Sequence, residues 1–270
     1  MARGERPRYG FVAWRFFAYM SAIGILGLAM LMLRVNTSGW LKTVLLVAGA
    51  PVAFVGLYIG GSYLYLYPAV FRSRPGFNPM GDAIRETGLA GDELVLDIGC
   101  GTGRVSIQIA GMIDRGRVTG IDIYEGVSGN TPETARRNAE IEGVSDRVEF
   151  RHGNALELPF DDDVFDIVTM GSVLHEIHGK EDQITALREI SRVLRPGGRF
   201  VTLELVRNWK MYLTLLLFAP VWRPVRYWED LFSGAGLRVT GIYKTRGILD
   251  MVVFVVEGGQ ARGPNWQWTE

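Results

Sequence analysis

Charged and apolar positions divide the chain into two unequal parts. From Phe16 to Leu33 no charge interrupts an apolar run, and Val44 to Tyr67 forms a second charge-free run after the short polar stretch Arg34–Lys42. Neither run has the polar face of an amphipathic surface helix. As a helix, each reaches the roughly 17 to 25 residues that cross a bilayer core. The pattern predicts a transmembrane hairpin within residues 1–70, with helices at about 16–33 and 44–67. Pro51 and several glycines interrupt the second run, which membrane helices tolerate when neighbours satisfy the freed backbone groups. Tyr63, Tyr65 and Tyr67 before Pro68, together with Trp14 and Trp40, stand where interfacial aromatics are expected. Gly56-Leu-Tyr-Ile-Gly60 has the small-xxx-small spacing of close helix packing, either between these two helices or between copies. Arg3, Arg6, Arg8 and Arg15 precede the hairpin and Arg72 and Arg74 follow it, whereas only Arg34 and Lys42 lie between the runs. Positive-inside bias then places both ends of the hairpin in the cytoplasm. No small-residue cleavage site follows Leu33, which disfavours a removed signal peptide.

Beyond a linker at Phe71–Met80 the period changes. Short apolar runs at Leu94–Leu96, Arg117–Ile123, Arg147–Phe150, Val164–Met170, Arg199–Leu205, Leu237–Lys244 and Met251–Val256 read as strands. Helical patterns fall between them at Asp82–Gly88, from Val105, from Thr131 or Pro132 to Gly143, and at Asp182–Leu194. The last of these carries Ile184, Leu187, Ile190, Val193 and Leu194 on one face. Alternating strands and helices predict an α/β domain over residues 71–257, followed by a polar tail at 258–270. One piece breaks the pattern. Trp209–Trp228 is apolar and aromatic with Lys210, Arg223 and Arg226 interspersed, and too short to span a bilayer. It reads either as a segment lying on a membrane surface or as a buried helix over the sheet.

Composition adds three constraints. Hydrophobic residues make up 48% of the 270 positions, in keeping with a membrane-embedded portion. Lys+Arg and Asp+Glu are both 29, and no basic run tracks a phosphate backbone, so nucleic acid is not an expected partner. The single cysteine, Cys100, excludes an internal disulfide and a cysteine-based zinc cluster. It reads as a small residue of a ligand loop rather than a reactive thiol.

The chemistry centres on Leu94–Ala110. A buried strand ends near Asp97, glycines follow at 99, 101 and 103, and a helix begins. A ligand in such a βαβ half-unit sits beyond the carboxyl end of the strand, near the helix N-terminus. The dinucleotide fingerprint Gly-x-Gly-x-x-Gly requires a glycine where Arg104 stands, and Asp97 suits a cationic amino group better than a pyrophosphate. A ligand with an amino-acid end and a ribose fits better than a nicotinamide dinucleotide. Asp122, about 20 residues beyond the loop, is where such a unit presents an acid to a ribose.

Asp97-Ile-Gly-Cys-Gly-Thr-Gly103 resembles the first motif of the class I methyltransferases that use S-adenosylmethionine. Gly120-Ile-Asp122, Gly153-Asn-Ala155, Phe165–Gly171 and Leu194–Arg199 are similar to its later motifs, in order. The resemblance implies a seven-stranded Rossmann-like methyltransferase sheet with helices on both faces, and S-adenosylmethionine as cofactor. It implies that Gly99, Cys100, Gly101, Thr102 and Gly103 form the cofactor loop, that Asp97 holds the amino-acid end through the loop or a water, that Asp122 holds the ribose hydroxyls, that Ile123 beside it also meets the cofactor, that Asn154 and Ala155 meet the adenine, and that Gly171 edges the site. Asn154 stands where many relatives carry Asp. The loop Tyr124–Asn130 is longer and more polar than is usual in the family. His175 and Glu176, just beyond the fourth strand, are the candidates for a general base, and Glu204 is a second candidate for a substrate contact. His175 and His178 lack the spacing of a zinc helix, and no metal is expected. The hairpin and the family together imply a bilayer partner and a lipid-like, quinone-like or other apolar acceptor. A non-catalytic membrane module that binds S-adenosylmethionine and a nicotinamide-dependent reductase are the alternatives.

Overall fold

The computed structural model describes residues 7, 9, 14–33, 37–70, 79–124, 130–209, 222–244 and 251–258. Arg3, Arg6, Arg8, Arg34, Arg72 and Arg74 lie outside these residues. So do most of the linker 71–80, the loop core 125–129, residues 210–221 and the tail after Gly258, and the side chains of Trp14, Arg15, Tyr63, Tyr65 and Tyr67. The chain forms two compact units, Gly10–Gly76 and Phe77–Glu270 with Met1–Tyr9.

The first unit is a pair of helices, α1 (Trp14–Leu33) and α2 (Trp40–Val70). The second begins earlier than its apolar run, because Trp40, Leu41 and Lys42 already belong to it, and Pro51 lies within it without ending it. Glycines bring the helices together. A Cβ on Gly24 would lie 2.6 Å from the Leu57 nitrogen, one on Gly27 would meet the Ala53 backbone, and one on Gly56 would meet Gly24. Gly60 faces Ser21. Partners descend in one helix as they ascend in the other, so the pair is antiparallel, and Gly56 and Gly60 pack α2 against α1 of the same chain. The outward faces are apolar: Ile25, Leu26, Met32, Val47 and Phe54 are all exposed. Among the described residues one helix, Trp40–Gly61, is long and apolar enough to cross a membrane, with mean hydropathy 2.0, and Ala18–Leu33 is a shorter apolar helix. A Gly56→Leu substitution is expected to weaken this packing by about 1–3 kcal/mol. Thermal unfolding of the detergent-solubilised chain, followed by its helical signal, should show a lower midpoint, and an unchanged midpoint would contradict the packing.

The second unit is a seven-stranded sheet in the order β3-β2-β1-β4-β5-β7-β6. The strands are β1 (Leu94–Ile98), β2 (Arg117–Asp122), β3 (Val148–His152), β4 (Phe165–Gly171), β5 (Leu194–Leu205), β6 (Leu237–Lys244) and β7 (Met251–Gly258). The first five pair in parallel, and β7 runs antiparallel to both β5 and β6. Helices α3 (Pro79–Glu86), α4 (Arg104–Ala110), α5 (Pro132–Glu142), α6 (Lys180–Val193) and α7 (Val225–Gly234) cover the sheet. Strand alternation produces a core on each face. Val95, Ile167, Val201 and Val253 pack with Ile84, Ile109 and Ala139 of α3, α4 and α5. Leu96, Val168, Phe200 and Phe254 pack with Leu187 of α6 and with Trp228 and Phe232 of α7.

Three sequence boundaries shift. Strand β1 continues through Asp97 to Ile98. Pro196-Gly197-Gly198 does not separate helix from strand: β5 already pairs at Leu194, and residues 195–198 bulge from it before pairing resumes at Arg199. The carboxyl end of the Trp209–Trp228 piece is not surface material, since Trp228 opens the buried face of α7 and is wholly enclosed.

Candidate active site

Strands β1 and β4 are neighbours, yet their connections leave in opposite directions, so a crevice opens beyond their carboxyl ends. The residues between β1 and α4 bend around this point with Gly99, Gly101 and Gly103 all at positive φ. A Cβ on Gly99 would also strike the Val173 side chain, with Cγ1 at 2.8 Å, and one on Gly103 would strike the Phe150 ring at 2.7 Å. The loop is tied to β2 by the N–H groups of Gly99 and Cys100, which donate to the Ile121 carbonyl at 2.8 and 3.0 Å. Asn138 of α5 donates to the Thr102 carbonyl at 2.9 Å. Just past the loop, the Arg104 guanidinium lies 5.0 Å from the Tyr9 ring centre.

Asp122 closes the loop from the other side. Its Oδ2 accepts from the Gly101 N–H at 2.9 Å and its Oδ1 from the Tyr124 N–H at 2.7 Å. Each oxygen keeps a further lone pair for a hydroxyl donor. Ile123 beside it is 45% exposed, an apolar side chain left uncovered within a strand-end crevice. Tyr124 has φ 51° and places its hydroxyl 3.4 Å from the Cys100 sulfur. Burial pushes the Cys100 thiol well above its ordinary value, and the nearby Asp97 charge adds to the effect. Cys100 is thus a packing residue of the loop, without thiolate character.

Asp97 is 1% exposed and does not line the crevice directly. Ser106 of α4 donates to its Oδ2 at 2.5 Å and Thr169 of β4 to its Oδ1 at 2.8 Å. It therefore pins β1, the glycine loop, α4 and β4 together from beneath. Burial pushes its carboxyl up to about 6, against the pull of the two hydroxyls. A carboxyl raised in the folded state contributes stability below its unfolded pKa and loses it as pH rises through the folded one. Between about pH 4 and 6 the fold should therefore lose stability as Asp97 ionises. An Asp97→Asn variant keeps a partner for each hydroxyl without the buried charge, and at pH 7 it should be more stable than the wild type by about 1–2 kcal/mol. Denaturant titration at pH 7 and pH 4 checks this: the advantage should shrink at pH 4, and an equal difference at both would contradict it.

Asn154 follows Gly153 at the end of β3 and is exposed. Its Oδ1 already accepts the Leu156 N–H at 3.0 Å, which leaves the amide NH₂ facing outward as a donor. Ala155 is half-buried beside it. Gly171 ends β4, and a Cβ there would meet nothing nearer than Val105 Cγ2 at 3.4 Å. Among the described residues no neighbour requires a glycine at this position.

A 3₁₀ turn, Leu174–Glu176, follows β4. His175 Nδ1 and Glu204 Oε2 share a hydrogen bond at 2.8 Å, and the side chains are 20% and 0% exposed. Burial, the largest influence, pulls the imidazole pKa down. The hydrogen bond and charge of Glu204, joined by Glu176, override it, so the pKa stands above that of a free imidazole. Glu176 itself is exposed, and His178 is exposed two residues on. Glu204 is not where the sequence suggested, since it lies behind His175 rather than facing a substrate. The missed signal is a carboxylate inside an otherwise buried parallel strand, which requires a partner.

The family model of a methyltransferase domain matches residues 96–202. The chain is 35% identical over 136 residues to the demethylmenaquinone methyltransferase of Symbiobacterium thermophilum, covering 50% of this chain and 49% of that protein. It is 42% identical over 117 residues to the enzyme of the same name from Lactiplantibacillus plantarum, covering 43% and 46%. The chain thus spans about half the length of the curated relatives it matches. A solved S-adenosylmethionine-dependent methyltransferase from Methanosarcina mazei superimposes with a TM-score of 0.55 at 23% identity, over 65% of this chain and 97% of that one, a likeness of fold.

Proposed function

We propose that this chain, whose residues 96–202 form a class I, Rossmann-like S-adenosylmethionine-dependent methyltransferase domain, methylates a quinone-like or other apolar acceptor at a membrane. The observation that carries the reading is the pairing, at one strand-end crevice, of the Asp122-closed glycine loop with the His175 imidazole.

The residues fit the cofactor. Asp122 offers lone pairs to a ribose diol, and the exposed Ile123 offers an apolar face to the adenine. The outward amide of Asn154 offers a donor to a ring nitrogen, with Ala155 beside it. Gly99, Cys100, Gly101, Thr102 and Gly103 present backbone to the amino-acid end. Asp97 acts there through the loop it pins and the charge beneath it. Gly171 leaves open the space a side chain would take. Bound there, S-adenosylmethionine supplies an electrophilic methyl whose C–S bond breaks toward sulfur as an acceptor electron pair forms the new bond. The protein aligns the two partners and excludes water. His175 takes a proton from the acceptor, and Glu176 supports its basicity through charge rather than contact.

The acceptor class is supported by the demethylmenaquinone methyltransferases that this chain resembles over half its length. The membrane is supported by the apolar outward faces of α1 and α2. In this reading the pair spans the bilayer, with the methyltransferase domain on the cytoplasmic side. Calorimetric titration of the detergent-solubilised chain with S-adenosylmethionine, S-adenosylhomocysteine and NADH tests the cofactor. Binding of the first two without NADH is expected, and binding of NADH alone would overturn the reading.

A further inference from the structure

The turn that carries His175 is held from three sides. The Leu174 N–H donates to Glu204 Oε1 at 3.2 Å, while the Leu174 carbonyl accepts from Gln183 Nε2 of α6 at 3.0 Å. Gln183 Oε1 in turn accepts the Tyr227 hydroxyl of α7 at 2.6 Å. Glu204 spends its second oxygen on His175 Nδ1. Among the described residues the ionisable groups facing the imidazole are Glu204 from β5 and Glu176 from its own turn. α6 and α7 contribute the neutral Gln183 amide and the Tyr227 hydroxyl to the support of the turn.

A wholly buried carboxylate is costly to keep: burial raises the Glu204 carboxyl, and the His175 ring and the Leu174 N–H pull against it. With its oxygens engaged by the Leu174 N–H and the His175 ring, Glu204 has no path to an acceptor. A carboxylate on Nδ1 fixes the neutral ring as the Nδ1–H tautomer and leaves the Nε2 lone pair free. We propose that Glu204 is a positioning residue: it holds His175 as an Nε2 base and thereby fits the site to acceptors that must surrender a hydroxyl proton. The inference rests on the methyltransferase reading for its acceptor, but not for the pairing itself. A phenol or hydroquinol is the acceptor chemistry this arrangement suits. Its O–H proton passes to Nε2, and the O–H bonding pair stays with the acceptor. The acceptor then bonds the methyl through oxygen or through the conjugated ring carbon, the C–S pair goes to sulfur, and the imidazolium returns its proton to solvent. For attack through carbon, the ring proton leaves to solvent as the ring rearomatises and the oxygen takes a proton back, so one proton is released overall.

The test compares the full-length chain with its Glu204→Gln variant in detergent, with histidine nitrogens labelled for NMR and His175 assigned by substitution. In the wild type, neutral His175 should be the Nδ1–H tautomer and titrate above free imidazole. In Glu204→Gln the titration should move down and the tautomer become mixed, with Glu204→Asp restoring part of both. With reduced demethylmenaquinone as probe, Glu204→Gln should lower kcat about 10- to 100-fold with KM little changed. The acid limb of its pH profile should move to lower pH. In a His175→Asn background the same substitution should cost little. An unchanged His175 titration, or an equal cost in both backgrounds, would overturn the proposal. If the wild type methylates no quinol while the titration moves as expected, the acceptor reading fails and the pairing stands.

Discussion

Replacing His175 with asparagine is expected to lower turnover about 10²- to 10⁴-fold while S-adenosylmethionine binding stays near the wild-type level. Asparagine is the informative change. Its side-chain NH₂ reaches the place of Nδ1 and still donates to Glu204, so the buried carboxylate is not orphaned, but nothing replaces Nε2. Alanine would confound the result, because removing one partner of a buried charged pair destabilises by about 3–5 kcal/mol. The pH dependence has a definite sign. The base works when neutral, and Glu204 and Glu176 raise its pKa. Wild-type activity should therefore fall as pH drops through a value above that of free imidazole, and the residual activity of the variant should lack that limb. Steady-state kinetics across pH, with calorimetry for the cofactor, checks both parts. A variant with wild-type kcat would remove His175 from the chemistry.

Replacing Asp122 with alanine is expected to weaken S-adenosylmethionine binding about 10²- to 10⁴-fold. Two hydrogen bonds from a diol to a carboxylate contribute about 1.5–3 kcal/mol each, and each 1.4 kcal/mol is tenfold in affinity. The substitution also strips the acceptor from the Gly101 and Tyr124 N–H groups, so the loop loses part of its shape along with its ligand contact. Asp122→Asn keeps one acceptor oxygen and should fall between the two. Calorimetry measures the loss, and a thermal melt shows whether the domain remains folded. Unaltered affinity in the alanine variant would place the ribose elsewhere.

The parts of the site made by local geometry are legible in the sequence. The glycine loop is one, because a sharp bend under a ligand requires residues without a Cβ at fixed spacing. The placement of Asp122 is another, because it follows from the length of a βαβ unit. What pairs across the sheet is not legible. Glu204 and His175 are 29 residues apart and meet because Gly171 of β4 registers with Leu203 of β5. Asp97 meets Thr169 across 72 residues for the same kind of reason, a buried tie that the loop motif alone does not announce. The start of α7 falls in a Trp- and Pro-rich stretch whose composition suits a membrane-surface segment and a buried helix equally, and Trp228 at its end belongs to the core. In the hairpin, the glycine spacing of α2 was plain, but only the facing Gly24 and Gly27 assign it to contact within the chain.

The most direct test of the account is methyl transfer itself. The full-length chain in lipid vesicles is supplied with S-adenosylmethionine labelled in the methyl group and with reduced demethylmenaquinone, and the extracted quinone is weighed by mass spectrometry. Label is expected in the quinone, dependent on Asp122 and His175 and absent when NADH replaces the methyl donor. An unlabelled quinone, under conditions where S-adenosylmethionine binds, would contradict it.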